Sequence, residues 1–252
     1  MRLAIFSDVH GNADALSGVL EDIKEQGTFD NIIFAGDLVY GLHQPSLCID
    51  LIHEHDVLCV YGNTDEFLWI DQVQDDETSD EDWADFLEYL NWLQIEIGQE
   101  GLNFLKSFPF EQTIKPTADI SQALLVVHAN PKNVQIPIFM SEAEQMKRIN
   151  KVLQPDTALN HLLDGIDAHT IAFGHLHVPN IRIYNQYTLA NISSVSKPQD
   201  NDWRAKYAIT EFRDNKWHFT YHQVSYDVAK TKQKLLASGM PNAEVQAEAM
   251  KL

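Results

Sequence analysis

"FSDVHGN", residues 6–12, follows the opening "MRLAI" and closes an apolar run of Leu3, Ala4, Ile5 and Phe6. Such a run is what a buried strand requires. The strand then delivers Asp8, His10, Gly11 and Asn12 at its end. A charged group placed there costs desolvation energy unless something pairs with it. The rest of the chain has to supply the partner.

Outward from that stretch the same arrangement recurs. "NIIFAGD" (31–37) ends in Asp37, "VLCVYGN" (57–63) in Asn63, "ALLVVHA" (123–129) carries His128, and "HTIAFGHLH" (169–177) ends in His175 and His177. Between the first three lie two stretches with helical spacing. They are "ADALSGVLEDIKEQG" (13–27), with Gly27 placed as a C-cap, and "PSLCIDLIHEH" (45–55). Strands alternating with helices predict an α/β layered core. The later runs "IRIYN" (181–185), "QYTLAN" (186–191), "YAITEF" (207–212) and "KWHFTYH" (216–222) follow one another closely and are expected to pair antiparallel. A pair of mixed sheets flanked by helices results.

Two segments interrupt the rhythm. Residues 66–110 include the acidic "DQVQDDETSDEDWADF" (71–86), read as a solvated face or loop, and then a helical pattern at Phe86, Leu90, Leu93 and Ile97. Residues 137–164 include "SEAEQMKRINKVL" (141–153), read as a helix. Both are expected as helical insertions over the strand ends of a single domain spanning 1–252. From about residue 225 a helical tail turns near Gly239 and Pro241.

With 252 residues, 44% of them hydrophobic, the chain can bury a large core, which excludes disordered and fibrous classes. No apolar run approaches the roughly 18 residues of a membrane span, and the N-terminus has no signal-peptide pattern. Cys48 and Cys59 are too few for a disulfide framework, so we expect reduced thiols and a cytoplasmic location. The net charge of −19 repels phosphate backbones and anionic headgroups, against nucleic acid or membrane as the main partner. A small phosphorylated substrate stays admissible, because screening confines surface repulsion to about 8–10 Å.

Ends of strands in layered α/β sheets form the crevice where ligands bind. Asp8 and His10 are two apart, as are His175 and His177, and in an extended segment that spacing turns both side chains to one side. Two carboxylates, one carboxamide and four imidazoles suit two divalent metal ions, with Asp37 the natural bridge. Two such ions, two carboxylates and a bridging hydroxide leave the pocket at about +1, attractive to a phosphate oxyanion.

"DVHGN", "GDLVYG", "GNTD", "VVHAN" and "GHLH" resemble the successive motifs of the calcineurin-like metallophosphoesterase superfamily. The nearest branch is that of small bacterial and archaeal phosphoesterases, diadenosine-tetraphosphatase-related and phosphodiesterase-like. "NISSVSKPQD" (191–200) is similar to that family's NPGS-type loop. The resemblance implies a four-layer α/β/β/α sandwich and two divalent metal ions, manganese first, with iron, zinc, nickel or cobalt as alternatives. Carried over by motif, Asp8, His10, Asp37 and His177 would hold one metal, and Asp37, Asn63, His128 and His175 the other. Asn63 and His128 would contact substrate, Asn12 would either contact phosphate or support the ligands from behind, and Asp65 would orient a metal-bound histidine.

Three departures stand out. Thr64 replaces the histidine that serves many members as general acid, with His43 a candidate substitute. The phosphate-contacting arginines of other branches have no evident motif, leaving Arg182, Lys197 and Arg204 as candidates. "NISS" has less glycine than the family loop, so a turn that relies on positive φ should be differently made. The activity implied is hydrolysis of a phosphodiester or nucleotide anhydride by a metal-bridging hydroxide, served by Asp37 and Asn63. Alternatives are a phosphomonoesterase or serine/threonine phosphoprotein phosphatase, and a non-catalytic scaffold on the same fold. A scaffold should have lost ligands, whereas all seven positions are filled.

Overall fold

The computed structural model describes residues 1–250. The first half of the chain runs β1 (Arg2–Phe6), α1 (Ala13–Glu25), β2 (Asn31–Ala35), α2 (Pro45–Glu54), β3 (Leu58–Val60), α3 (Asn63–Glu66) and α4 (Asp80–Lys106). It continues with β4 (Glu111–Ile114), β5 (Leu124–Val127), α5 (Glu142–Ile149), α6 (Leu159–Leu162), β6 (Thr170–Phe173), β7 (Asn180–Tyr184) and β8 (Tyr187–Asn191). The chain closes with β9 (Ala205–Arg213), β10 (Lys216–Val224), α7 (Val228–Leu236) and α8 (Ala243–Ala249).

Side-chain alternation builds the layers. Along β1, Leu3 and Ile5 point to one face and Ala4 and Phe6 to the other, the period-2 consequence of an extended backbone. Leu3, Ile5, Ile33 and Ala35 meet Leu124, Val126 and Ala172 of the second sheet across an apolar interlayer. Ala4, Phe6 and Phe34 face the outer helices through Leu16, Val19, Cys48, Leu93 and Leu235. Leu125, Val127, Ile171 and Phe173 pack on Leu159 and Leu162. The result is the α/β/β/α four-layer sandwich. Cys48 and Cys59 are free and buried. Among the described residues no helix is long and apolar enough to cross a membrane.

Each sheet has five strands, in the orders β10-β9-β1-β2-β3 and β4-β5-β6-β8-β7. β1, β2 and β3 are parallel, as are β5, β6 and β8. The expected antiparallel pairing holds for β7–β8 and β9–β10. It does not hold between β8 and β9, which lie in different sheets, and β8 instead runs parallel beside β6.

Other elements depart from expectation. α5 stops at Ile149 rather than running to residue 153. Asn150 is left-handed (φ 52°), and the side-chain Oε1 of the buried Gln145 accepts from the N–H groups of Leu153 and Gln154 as the chain folds back. The acidic stretch is irregular to Ser79, whose hydroxyl caps α4, and helical from Asp80. α4 lies against α2 through Leu93, Ile97 and Leu105, and its first half reaches the strand-end loops where the Tyr89 hydroxyl accepts from Gly41 N.

Candidate metal centre

β1 and β2 continue hydrogen bonding beyond their last paired residues. Asp8 N donates to Gly36 O, and Val9 N and His10 N both donate to Asp37 O. The backbone there is not extended. Asp8, His10, Asp37, His175 and His177 all have left-handed φ, between 50° and 68°. Such values are uncommon outside glycine. The two-apart pairs therefore converge because each member is left-handed, not because an extended segment turns alternate side chains one way. Strain of this kind persists only where the surroundings enforce it, and it clusters at functional sites.

All seven candidate ligands converge. His177 Nε2 lies 3.1 Å from Asp8 Oδ1 and 3.2 Å from His10 Nε2. Asn63 Oδ1 lies 2.9 Å from both His128 Nε2 and His175 Nδ1, which are 3.2 Å apart. Asp37 Oδ2 faces both halves, 3.8 Å from His10 Nε2 and 3.5 Å from His128 Nε2. Two groups, Asp8–His10–His177 and Asp8–Asp37–His128, have one donor atom per residue within 4.8 Å of one another. Asp8 and His128 are fully buried, and Asp37 is 3% exposed.

The tautomers follow from the carbonyls. His10 Nδ1 lies 2.7 Å from Tyr40 O, His128 Nδ1 2.9 Å from Ala35 O, and His177 Nδ1 2.8 Å from Lys197 O. A carbonyl only accepts, so each Nδ1 carries a proton; neutral His10 turns an Nε2 lone pair into the pocket, whereas the carboxylates beside His128 and His177 favour a proton on their Nε2 atoms until a cation replaces it. His10 Nε2 and His177 Nε2, 3.2 Å apart, can sit so close only with a proton or a cation between them. The donor set, oxygen and imidazole without thiolate, fits divalent ions. Burial holds the His10 imidazole down at about 4, so it is neutral and able to ligate. Against the opposing effect of burial, Asp37 and Asp8 push His128 up to about 9. The same histidines hold Asp37 below the ordinary carboxylate range despite its burial.

Several expectations for single residues need correction. Asn12 is not a substrate contact. It is wholly buried, its oxygen caps α1 by accepting from Ala15 N, and its amide donates to Ser196 Oγ and Tyr226 OH. His128 is wholly buried, with Nε2 turned to Asn63 and Asp37. Asn63 is half-buried. Asp65 orients no histidine. Its oxygens accept from the backbone N–H groups of Asp37, Leu38 and Gly62 and so fix the loop bearing Asp37.

His43 faces Asp14 and Lys234, not the site's carboxylates. Arg182 joins β7 to Asp156 and the carbonyls of Phe139 and Met140, and Arg204 pairs with Asp202 at the surface. Ser193 keeps the left-handed turn without glycine (φ 77°). Asn191 Oδ1 accepts its N–H, and its hydroxyl donates to His177 O. Asn191, which also reaches Gly174 O, and Ser194, whose hydroxyl donates to Asp8 O, are positioning residues that spacing alone did not single out. The polar end of "QYTLAN" was the available signal.

A layered α/β protein that gathers aspartates and histidines at the carboxyl ends of its strands is the class defined so far. The family model for the calcineurin-like phosphoesterase superfamily domain matches residues 1–215, and the chain belongs to that superfamily. It is a family of metal-dependent phosphoesterases, and the Asp/His groups described above could hold divalent ions. The chain is 30% identical over 266 residues to an uncharacterized protein of Methanocaldococcus jannaschii, covering 95% of this chain and 93% of that one. A metallophosphoesterase from Sphaerobacter thermophilus superposes with TM-score 0.71 at 25% identity, covering 99% of this chain and 98% of that one. A hypothetical protein of Pyrococcus horikoshii shares the fold, with TM-score 0.76, 17% identity and coverage of 98% and 96%.

Proposed function

We propose that this protein is a dinuclear metal-dependent hydrolase of a phosphodiester or nucleotide anhydride. The observation that carries the reading is the close approach of ring nitrogens in two histidine pairs that flank one carboxylate. His10 with His177, and His128 with His175, each meet at 3.2 Å on either side of Asp37. On this reading Asp8, His10, Asp37 and His177 hold one ion, Asp37, Asn63, His128 and His175 the other. Divalent ions bound there supply Lewis acidity and a nucleophilic water of lowered pKa.

The chain's own groups do the rest. Thr64 N donates to Asp37 Oδ1 while Asp65 holds Asp37 N, so the carboxylate is fixed before any ion arrives. Asn63 is half-buried at the mouth, where its amide can donate to a phosphoryl oxygen while its Oδ1 stays turned to the histidines. Thr64 offers no titrating group to a departing oxygen, which favours esters and anhydrides with good leaving groups.

Elemental analysis after loading with Mn²⁺, with a panel of phosphate esters, tests the proposal. About two ions per chain are expected, with both lost or loosened in Asp37→Ala. One ion or none in the parent protein, with Asp37→Ala unchanged, defeats it.

A further inference from the structure

Lys197 sits on the loop most firmly tied to the candidate centre. Its N–H donates to Ser194 Oγ, whose hydroxyl in turn donates to Asp8 O, and its carbonyl accepts from His177 Nδ1. Its ammonium lies on the same side of Gly41 as His10. A methyl group built on Gly41 would meet His10 Cβ at 2.9 Å and Lys197 Nζ at 3.3 Å.

This cation lacks a charged partner. The chain carries 37 acidic against 18 basic residues, and its other inward-reaching cations are paired: Lys206 with Asp200, Lys234 with Asp14, Arg182 with Asp156. Lys197 forms no ion pair among the described residues. Its Nζ donates to the neutral amide oxygen of Gln246 on α8, at 3.2 Å. Burial alone pushes its ammonium pKa down. A half-buried ammonium with one neutral acceptor is poorly compensated, and an anionic oxygen would bind it about twice as strongly as an amide does. Gln246 also lines a cleft of about 230 Å³ with Tyr40, Gly41, Tyr89 and the acidic Asp82 and Asp85, so an entering ligand can reach the amide that holds the lysine.

We propose that Lys197 is a substrate-binding residue whose ammonium takes a non-bridging phosphate oxygen, and that Gln246 of the C-terminal helix holds it until substrate arrives. The proposal rests on the phosphoesterase reading above. It adds a contact from α8, which lies beyond the residues 1–215 matched by the family.

The test uses the full-length, Mn²⁺-loaded protein and its Lys197→Met, Lys197→Arg and Gln246→Ala variants. Calorimetry with inorganic phosphate and steady-state kinetics on bis(4-nitrophenyl) phosphate supply the readouts. Lys197→Met should weaken phosphate about tenfold or more, the loss expected of a charge-assisted hydrogen bond. KM should rise by a similar factor with kcat nearly unchanged. Lys197→Arg should recover most of the affinity, and Gln246→Ala should bind phosphate as tightly as the parent or tighter. Metal content should be the same in all four proteins.

Unchanged phosphate affinity in Lys197→Met overturns the proposal, and equal falls in thermal midpoint for Lys197→Met and Gln246→Ala would then mark the pair as a structural tie. Should Lys197→Met not fold, phosphate binding by Gln246→Ala decides, and a tenfold loss there overturns it. A parent protein that holds two metals yet cleaves no ester defeats the hydrolase reading instead, and leaves the phosphate comparison intact.

Discussion

Asp65 gives no atom to the candidate centre, yet it decides where Asp37 sits. Three backbone N–H groups converge on its buried carboxyl, and burial together with the Asp37 charge pushes it up to about 7. The folded protein then keeps a proton that the unfolded chain releases near 3.8, so this group's contribution to stability falls as pH rises from about 4 to 7. His10, held at about 4, works the other way over the same span, so the informative quantity is a difference between two proteins. Asp65→Asn cannot titrate, and it meets three donors with one oxygen, at a cost of about 1–3 kcal/mol for each donor left unpaired. In chelator-treated samples the stability gap between parent and Asp65→Asn should narrow from pH 4 to pH 7 in urea titrations. A gap that widens overturns the assignment. Thr64 yields a kinetic prediction. Its hydroxyl is buried without a partner, so Thr64→Ala should cost little stability. Rates should depend steeply on leaving-group pKa, because an absent imidazole withholds about 10²–10⁴-fold from poor leaving groups. Equal rates on nitrophenyl and alkyl esters would reveal another donor. The convergence of the seven candidate ligands was legible because each follows an apolar strand. The roles of Asn12 and Asp65 were not, since their partners are a helix end and backbone amides that only folding brings near.

At the scale of elements, α4 carries a device that periodicity cannot reveal. Phe86, Leu90, Leu93 and Ile97 announce a helix, but its path bends at Gly98, where φ is 60° and ψ −177°. That conformation belongs almost wholly to glycine. Beyond the bend, Gly101 lets α2 approach so closely that a methyl group would meet Ile49 Cδ1 at 3.0 Å. In a regular helix interior Gly→Ala stabilises by about 1 kcal/mol. Gly98→Ala should instead destabilise by about 1–3 kcal/mol, although no atom lies within 4 Å of the added methyl. Urea denaturation reads the sign, and a gain in stability would mean that α4 runs through unbroken. β4 escaped notice for the opposite reason. "EQTI" is short and mostly polar because it forms an edge paired only with β5, so no apolar run marks it. The strands that end in ligands were legible because both their faces are buried, one against the other sheet and one against helices.

For the whole molecule, the question is what metal removal does to a chain whose core is built from three apolar clusters. A domain of this size buries most of its apolar surface without help. It should differ from a small zinc module, which unfolds when stripped. Chelation should therefore abolish hydrolysis while leaving the far-ultraviolet dichroism in place. The thermal midpoint should still fall, because stripping leaves Asp8 and Asp37 as buried carboxylates with no divalent cation to offset them. Restoring Mn²⁺ to a hundredfold excess over its dissociation constant adds about 2.7 kcal/mol per site. In a protein of this length each kcal/mol moves the midpoint by about 2–4 °C. One refilled site should then raise it by about 5–10 °C, and a second should add to that. Dichroism that collapses on chelation would transfer part of the fold's support from the clusters to the ions. A midpoint indifferent to Mn²⁺ would mean that the converging aspartates and histidines hold no such ion, however well their lone pairs are aimed.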